Sequence, residues 1–412
     1  MRFTIVTPSF NQLDWLELCI ASVRDQVESA GADGEKVGKW ECGSRAERDR
    51  LELSDSRGAG SPAGEINVGR WEGGRRAEAT KPEETRSGIS IEHIVQDAGT
   101  PGIEEFAREM GGDFYQDGKK VGRLEGNNVG RWECGKVGSV EGSKVGAERS
   151  ETDWSEATAA ERARRRARST CEGSKVGSEG YSLTIYSEKD AGMYDAINKG
   201  LRRATGEICA YLNCDEQYLP GTLSAVAEWF GRNKAREVAF GDIVVVRPDG
   251  SYICDRTAMV PTKLHTLVSG NLAVYSAATF FRREAVVDRG LLFSPDWKVV
   301  GDSVWVLSLL DAGLKMGLLR RRVASFIYSG ENLSLDAKGT EERNRLRATA
   351  CAGARVGAPA IVALFRLRRM LRGGYSLGAQ DYAIYTSTSG HRRATFQVER
   401  PTHRWPTNQV SL

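Results

Sequence analysis

Apolar positions fall along this chain in short blocks of two kinds. Phe3 to Val6, Ile91 to Val95, Leu183 to Tyr186 and Ile208 to Leu212 are compact runs that suit strands covered on both faces. Between them the apolar positions recur at helical spacing. Trp15, Leu16, Leu18, Cys19, Ile20 and Val23 follow Asp14, a candidate helix cap, and Met193, Ala196, Ile197, Leu201 and Ala204 end at Gly206. Ile103 to Met110 and Leu223 to Phe230 read as two further helices. Val238 to Val246 is strand-like, and Arg247-Pro248-Asp249-Gly250 is a hairpin turn into Ser251–Cys254. Strands alternating with helices, then a hairpin, predict an α/β domain with a mixed, mainly parallel sheet flanked by helices.

Two stretches break this pattern. From about 28 to 88 and from 112 to 180, Gly, Arg, Glu and Ser dominate and aliphatic residues nearly vanish. A short unit recurs in them: Lys36-Val37-Gly38-Lys39-Trp40-Glu41-Cys42-Gly43, Asn67-Val68-Gly69-Arg70-Trp71-Glu72-Gly73, Lys120-Val121-Gly122-Arg123-Leu124-Glu125-Gly126 and Asn128-Val129-Gly130-Arg131-Trp132-Glu133-Cys134-Gly135, with degenerate copies at Lys136, Lys144 and Lys175. The spacing is irregular, unlike a solenoid. Each copy has too little apolar area to offset the ordering entropy of its glycines. Both stretches are therefore read as disordered low-complexity insertions, with an isolated helix over 158–169. A single-stranded nucleic-acid role for the spaced tryptophans is disfavoured by the glutamate after each one.

The expected map is a discontinuous catalytic domain over 1–340 (1–27, 89–111 and 181–340), the insertions 28–88 and 112–180, and a C-terminal helical and tail extension over 341–412. In that extension Pro359 precedes Ile361, Val362, Leu364, Phe365, Leu367, Met370 and Leu371, interspersed with Arg366, Arg368 and Arg369 and followed by Arg372. This basic amphipathic helix suits either an anionic membrane surface or docking on the domain itself. The tail from 380 to 412 offers a strand pair.

Composition narrows the partners. Over 412 residues the formal net charge is only +3, which gives no general case for nucleic-acid binding. Eight cysteines without C-x-x-C spacing make no disulfide framework, and a reduced, cytoplasmic compartment is expected. The N-terminus enters a strand directly, without the pattern of a secretory signal. The longest apolar stretch, from Ala358 to Phe365, is far shorter than the roughly 20 residues of a spanning helix.

Candidate chemistry lies in four carboxylate positions: Asp97, the group Glu188/Asp190/Asp195, the pair Asp215/Glu216, and Asp302. The first three follow predicted strands, with Asn213 beside the pair, where open α/β sheets bind ligands. Mg²⁺ or Mn²⁺ needs few carboxylates when phosphate oxygens complete its shell. Four unpaired histidines argue against zinc, and no P-loop, Gly-x-Gly-x-x-Gly turn or Gly-x-Ser-x-Gly elbow is present.

These residues carry a resemblance. Thr4-Ile5-Val6-Thr7-Pro8-Ser9-Phe10-Asn11-Gln12, Glu92 to Gly99, Ser187 to Gly200, Ala204 through Gly221, Ala278-Thr279-Phe280-Phe281-Arg282-Arg283 and Gly301-Asp302 come in the order seen in the family 2 glycosyltransferases, which the sequence resembles over most of its length outside the insertions. The resemblance implies a GT-A fold, with a Rossmann-like nucleotide-sugar-binding half and an acceptor half, and inversion at the transferred sugar. It implies that Pro8 and Phe10 line the base pocket, that Asp97 contacts a uracil or thymine ring, and that Asp190, Asp195, Lys199 and Asn213 serve the donor. Asp215 is implied as the metal ligand and Asp302 as the general base. Departures from the family pattern are Cys214 in place of Ser, Glu216 in place of a second Asp, a shortened turn after Asp97, and no second Asp after Asp302.

The function so implied is a metal-dependent transferase moving a sugar from a UDP- or dTDP-type donor to a hydroxyl of a glycan or lipid-linked acceptor in cell-surface polysaccharide synthesis, at the inner face of the membrane. The alternatives are a non-catalytic module of the same fold and a sugar-1-phosphate nucleotidyltransferase. The latter wants a Gly-rich basic loop after the first strand, which Pro8-Ser9-Phe10-Asn11 is not.

Overall fold

In the computed structural model, which describes residues 1–29, 88–123, 180–328, 337–375, 378–389 and 392–404, the apolar blocks become the strands and helices of a three-layer α/β arrangement. In chain order the first half contains β1 (Arg2–Ser9), α1 (Leu13–Ser29), β2 (Ser90–Asp97), α2 (Ile103–Met110), β3 (Asp113–Gln116), β4 (Lys119–Arg123), β5 (Tyr181–Ser187), α3 (Met193–Arg203), β6 (Ile208–Tyr211), β7 (Glu216–Tyr218) and α4 (Thr222–Arg232). The second half contains β8 (Val238–Val246), β9 (Tyr252–Arg256), α5 (Lys263–Ser269), β10 (Thr279–Arg282), α6 (Arg283–Val286), α7 (Gly301–Asp311), β11 (Met316–Ile327), α8 (Ala337–Ala348), α9 (Ala352–Val356), α10 (Ala358–Leu371), β12 (Tyr382–Ile384) and β13 (Ala394–Phe396).

Among the described residues, eleven strands form one sheet in the order β4-β3-β5-β2-β1-β6-β10-β8-β11-β7, with β9 paired to β8. From β3 to β6 neighbouring strands run parallel. β10 enters antiparallel between β6 and β8, β11 runs parallel to β8, and β7 closes the edge antiparallel to β11. The expected mixed, mainly parallel sheet is present.

β1 shows why the layers form. Phe3 and Ile5 pack in one core cluster with Cys19 and Val23 of α1 and Leu223 and Phe230 of α4. Val6, pointing the other way as strand alternation requires, packs with Tyr194, Ile197 and Leu201 of α3 and Trp305 of α7. A Cβ on Gly200 would overlap the Val6 side chain, so this glycine lets α3 lie directly on β1.

One expectation is corrected here. Residues 113–123 stand inside the stretch read as the second insertion, yet β3 pairs in parallel with β5 and β4 extends the edge. Phe114 is 1% exposed and explains the ordering, because it fills a cluster with Ile103, Phe106 and Ile185. A start for that insertion at residue 112 is therefore too early. The copy of the repeat beginning at Lys120 lies partly in β4. The other copies and the helix expected over 158–169 lie outside the described residues.

The C-terminal extension returns to the sheet. Gln217 and Tyr385 exchange two hydrogen bonds of 2.8 Å, and β12 pairs with β13 as the tail pattern anticipated. α10 docks through Phe365, whose ring stacks on His265 at 3.7 Å between centroids. Its other face is exposed: Leu364, Leu367, Met370 and Leu371 are 45–71% accessible. No helix among the described residues is long and apolar enough to cross a membrane.

Candidate active site

β1, β2 and β6 lie side by side, with Ser9 level with Asp97 and Val6 level with Tyr211. Their carboxyl ends therefore open on one edge of the sheet, where the strand order divides into β2 and β5 on one side and β6 on the other. This is the position at which α/β sheets bind ligands.

The loop after β1 carries Pro8, buried, and Phe10, which is 59% exposed. Asn11 follows at φ +55°, a left-handed conformation that asparagine tolerates better than most residues. Its amide donates to the Thr100 hydroxyl at 2.9 Å. Thr100 in turn gives its amide and hydroxyl to the carboxylate of Asp97 at 2.7 and 2.6 Å, and Gly99 adds an amide at 2.8 Å. Asp97 is fully buried. Three donors engage it, so its first role is to shape the turn that braces the Phe10 loop.

Asp190, Asp195 and Lys199 are engaged with their own loop and helix. Asp190 accepts the Gly192 amide at 2.8 Å. Asp195 accepts the Ala191 amide at 3.0 Å and pairs with Lys199 at 3.3 Å. Lys199 also donates to the Lys189 carbonyl. Burial pushes the Asp195 carboxyl up, but the Ala191 amide, Lys199 and Arg202 more than reverse this and leave it below its ordinary value.

After β6 the chain turns tightly. The Glu216 amide donates to the Asn213 carbonyl at 3.0 Å, and the Asn213 amide returns a bond to the Glu216 carboxylate at 2.9 Å. Glu216 is 1% exposed and also accepts Ser276 at 3.3 Å. Burial first, then the charge of Asp215, pushes the Glu216 carboxyl up to about 8. Burial likewise raises Asp215. The buried Asn213 Oδ1 has no hydrogen-bond partner. The turn offers oxygen donors only, and the raised Asp215 carboxyl and the unsatisfied Asn213 Oδ1 are the groups that the charge of a hard divalent cation would relieve. Among the described residues no three His, Cys, Asp or Glu side chains form a ready cage, so such a cation needs oxygens from a ligand.

Asp302 stands in the first turn of α7. It accepts the Ser303 amide at 2.7 Å, and burial pushes its carboxyl up to about 6. Its own amide donates to the Tyr194 hydroxyl at 3.2 Å, and that hydroxyl donates to the Val299 carbonyl at 3.0 Å. A Cβ on Gly301 would overlap the Tyr194 ring, so the ring packs flush against the helix start. Asp302 and Glu216 both act electrostatically on the Tyr211 hydroxyl, which burial, then Asp302, Tyr194 and Glu216, hold well above its ordinary value. β6, which leads into the Asn213–Glu216 turn, packs Tyr211 on Trp305 of α7 at 6.4 Å between ring centroids, the helix whose first turn bears Asp302.

Three site residues carry no sequence signal of their own. Tyr194 and Tyr211 read as a helix face and a strand residue, and Ser276 lies in an unmarked loop. Tyr218 is fully buried against Phe280 and is a core residue. Cys214 donates to Gln12 at 2.7 Å, and burial holds its thiol well above its ordinary value, which leaves it a poor nucleophile.

Residues 179–288 match the family model described as Glycosyl transferase family 2. That span holds α3, β6, the Asp215 turn and β10. Proteins named PGL/p-HBAD biosynthesis glycosyltransferase, from Mycobacterium bovis and Mycobacterium tuberculosis, are 33% identical over 82 residues, which is 19% of this chain and 32% of theirs. The chain thus spans about a third of the length of these curated relatives. Staphylococcus aureus TarS 1-349 in complex with UDP-GlcNAc overlays 90% of this chain and 73% of its own, at 11% identity and a TM-score of 0.38. A mannosyltransferase from Pyrobaculum calidifontis in complex with GDP-Man and Mn²⁺ overlays 90% and 79%, at 12% identity and 0.37. Both scores lie below 0.5.

Proposed function

We propose that this chain is an inverting, metal-dependent glycosyltransferase that moves a sugar from a UDP- or dTDP-type donor to a hydroxyl of a glycan or lipid-linked acceptor, in cell-surface polysaccharide synthesis. The family match over 179–288 supports the reaction class. The observation that carries the reading is that two unlike carboxyl sites stand on packed neighbouring elements, the oxygen-rich Asn213–Glu216 turn after β6 and the Asp302 turn of α7, joined through Tyr211 against Trp305. One suits a cation and a diphosphate, the other a proton transfer.

In this reading Asp215, with Asn213 Oδ1, would hold Mg²⁺ or Mn²⁺, whose charge would offset that of the departing nucleotide diphosphate. Pro8 and Phe10 flank the base, and the buried Asp97 supports them through Thr100. Asp190, Asp195 and Lys199 hold the donor-side loop in shape. Asp302 takes the proton of the acceptor hydroxyl as that oxygen bonds to the sugar carbon and the bond from carbon to phosphate oxygen breaks. Attack from the side opposite the leaving group inverts the centre. A carboxyl titrating near neutrality is suited to such proton abstraction.

The exposed face of α10 supports a peripheral position on an anionic membrane, the cytoplasmic face being the one where nucleotide sugars are made. Leu364, Leu367, Met370 and Leu371 are flanked by Arg366 and Arg372, and no acidic residue occurs between Glu342 and Asp381. That combination suits insertion among acidic headgroups. Cosedimentation of the protein with phosphatidylglycerol vesicles, lost in Leu364→Ser/Leu371→Ser, is the expected result. Equal recovery with phosphatidylcholine vesicles would overturn it.

The test of the activity is a donor panel scored by nucleotide release, alongside thermal shifts with UDP and dTDP with and without Mn²⁺. A Mn²⁺-dependent shift that Asp215→Ala abolishes, together with release from one donor, supports the transferase. A shift without turnover favours the non-catalytic module. No shift with any nucleoside diphosphate sinks both.

A further inference from the structure

We propose that Glu342 is a positioning residue for Asp302, acting through the backbone of residues 298–300 and the Tyr194 hydroxyl; this rests on the reading of Asp302 as the base. Glu342 lies 40 residues beyond Asp302 in the chain. Its Oε1 accepts the Lys298 amide at 2.8 Å, and its Oε2 accepts the Val299 and Val300 amides at 2.9 and 3.0 Å. Three consecutive amides converging on one buried carboxylate form an anion nest filled by the protein's own side chain. Bonds to an ionised acceptor are roughly twice as strong as neutral ones. Burial pushes the Glu342 carboxyl up, yet the three amides outweigh it and keep it below its ordinary value, hence charged.

α8 brings little apolar surface of its own. Its sequence, Ala337 to Ala348, is polar nearly throughout and includes Gly339, an unfavourable helix residue. Its grip is concentrated on one face at i, i+3 and i+4 spacing. Arg345 lies over the Trp297 ring at 4.3 Å, and Leu346 packs with Trp297, Val300 and Leu307. These contacts fall on the segment 297–300 and, through Leu307, on α7 itself, while Arg347 separately ties α8 to α5 by donating to the Ser269 carbonyl at 2.7 and 3.2 Å.

From that segment two supports reach Asp302. The Val300 carbonyl accepts the Ser303 and Val304 amides at 3.1 and 3.2 Å and so starts the helix. The Val299 carbonyl fixes the Tyr194 hydroxyl, which holds the Asp302 amide. Releasing residues 298–300 loosens both supports at once, while the Asn213–Glu216 turn and the Phe10 loop keep their own bonds.

The expected signature is a split between turnover and donor binding. Glu342→Ala should lower kcat by about a hundredfold, the loss that a misplacement near 1 Å produces, with donor KM within about twofold of wild type. Glu342→Asp, which keeps the carboxylate, should recover much of that loss. Amide hydrogen exchange at 298–300 should accelerate in Glu342→Ala and not at 213–216. Folded Glu342→Ala with wild-type kcat overturns the role, as does a parallel loss of kcat and nucleotide affinity. A wild-type protein that releases nucleotide from no donor overturns the reading of Asp302 as the base, and the proposal with it; that outcome is distinct because it precedes any comparison of variants.

Discussion

The carboxylate of Asp97 accepts Thr100 twice, from its amide at 2.7 Å and from its hydroxyl at 2.6 Å. Because the same hydroxyl accepts the Asn11 amide at 2.9 Å, one threonine joins the ends of β1 and β2. Thr100→Val keeps the shape and removes both hydroxyl bonds. A lost bond to a charged group is worth about 1.5–3 kcal/mol, so donor KM should rise by roughly tenfold or more, at 1.36 kcal/mol per decade. The effect on kcat should be smaller, because Asp302 stands on a separate element. Steady-state kinetics against donor concentration measure the split, and an unchanged KM would remove Asp97 and Thr100 from the base pocket.

As the proposed base, Asp302 should give activity an acid limb. Burial raises its carboxyl from the ordinary 3.8 to about 6, so the folded protein binds a proton there that the unfolded chain releases. That contribution to stability is complete below the ordinary value and is lost as pH rises through about 6. Activity has the opposite sense, because the base works only when ionised. A plot of kcat/KM should climb through an acid limb near pH 6, and Asp302→Asn should lower activity by at least about a hundredfold. A profile flat from pH 5 to 8 in the wild type would assign the base elsewhere.

The parallel half of the fold was legible because its signals are local. Short apolar runs, helical spacing in α3 and a glycine at its end place β1, β2, β5 and β6 close to where they stand. β3 was missed because its apolar content is little more than Phe114 and Tyr115, and it lies against a repeat unit; the waiting edge of β5 orders it. β7 leaves no signal because Glu216-Gln217-Tyr218 has no apolar run, yet pairing with β11 buries all three residues. In the site, carboxylates at strand ends could be found by residue type. Their supports could not: Glu342 acts on bare backbone amides, and amides 42–44 residues away leave no trace in side-chain pattern.

Phe10 is exposed although it belongs to the loop that Thr100 braces. An aromatic ring left in water at a strand end stabilises the fold little, but it offers a nucleobase a stacking face worth about 1–3 kcal/mol. Phe10→Ala should raise donor KM by roughly five- to a hundredfold while leaving the melting temperature within a degree or so. Titration of UDP by calorimetry is the direct measurement. A melting temperature that drops sharply with unchanged UDP affinity would make the ring a packing residue instead.

Arg393 ties the last described stretch to the first helix. Its guanidinium forks onto Asp25 at 2.6 and 2.8 Å, and it also donates to the carbonyls of Tyr218, Ala383 and Ser22 at 2.7, 3.0 and 3.2 Å. The pair is largely buried, with the two side chains 11% and 19% exposed. Removing Arg393 leaves Asp25 with the Tyr385 hydroxyl at 2.9 Å but without its counter-charge, a loss near the lower end of the about 3–5 kcal/mol that breaking a buried pair costs. Arg393→Ala should therefore lower stability by about 3 kcal/mol in urea unfolding. Arg393→Ala/Asp25→Ala should lose less than the sum of the two single variants, because the second change removes the stranded charge. β7 lies beside the Asp215 turn and bears both the Tyr218 carbonyl and the Gln217–Tyr385 exchange. The destabilised variant should for that reason also bind UDP with Mn²⁺ more weakly at temperatures well below its melting point. Weakened stability with unaltered nucleotide binding would make the tail a passive clamp, uncoupled from the donor side.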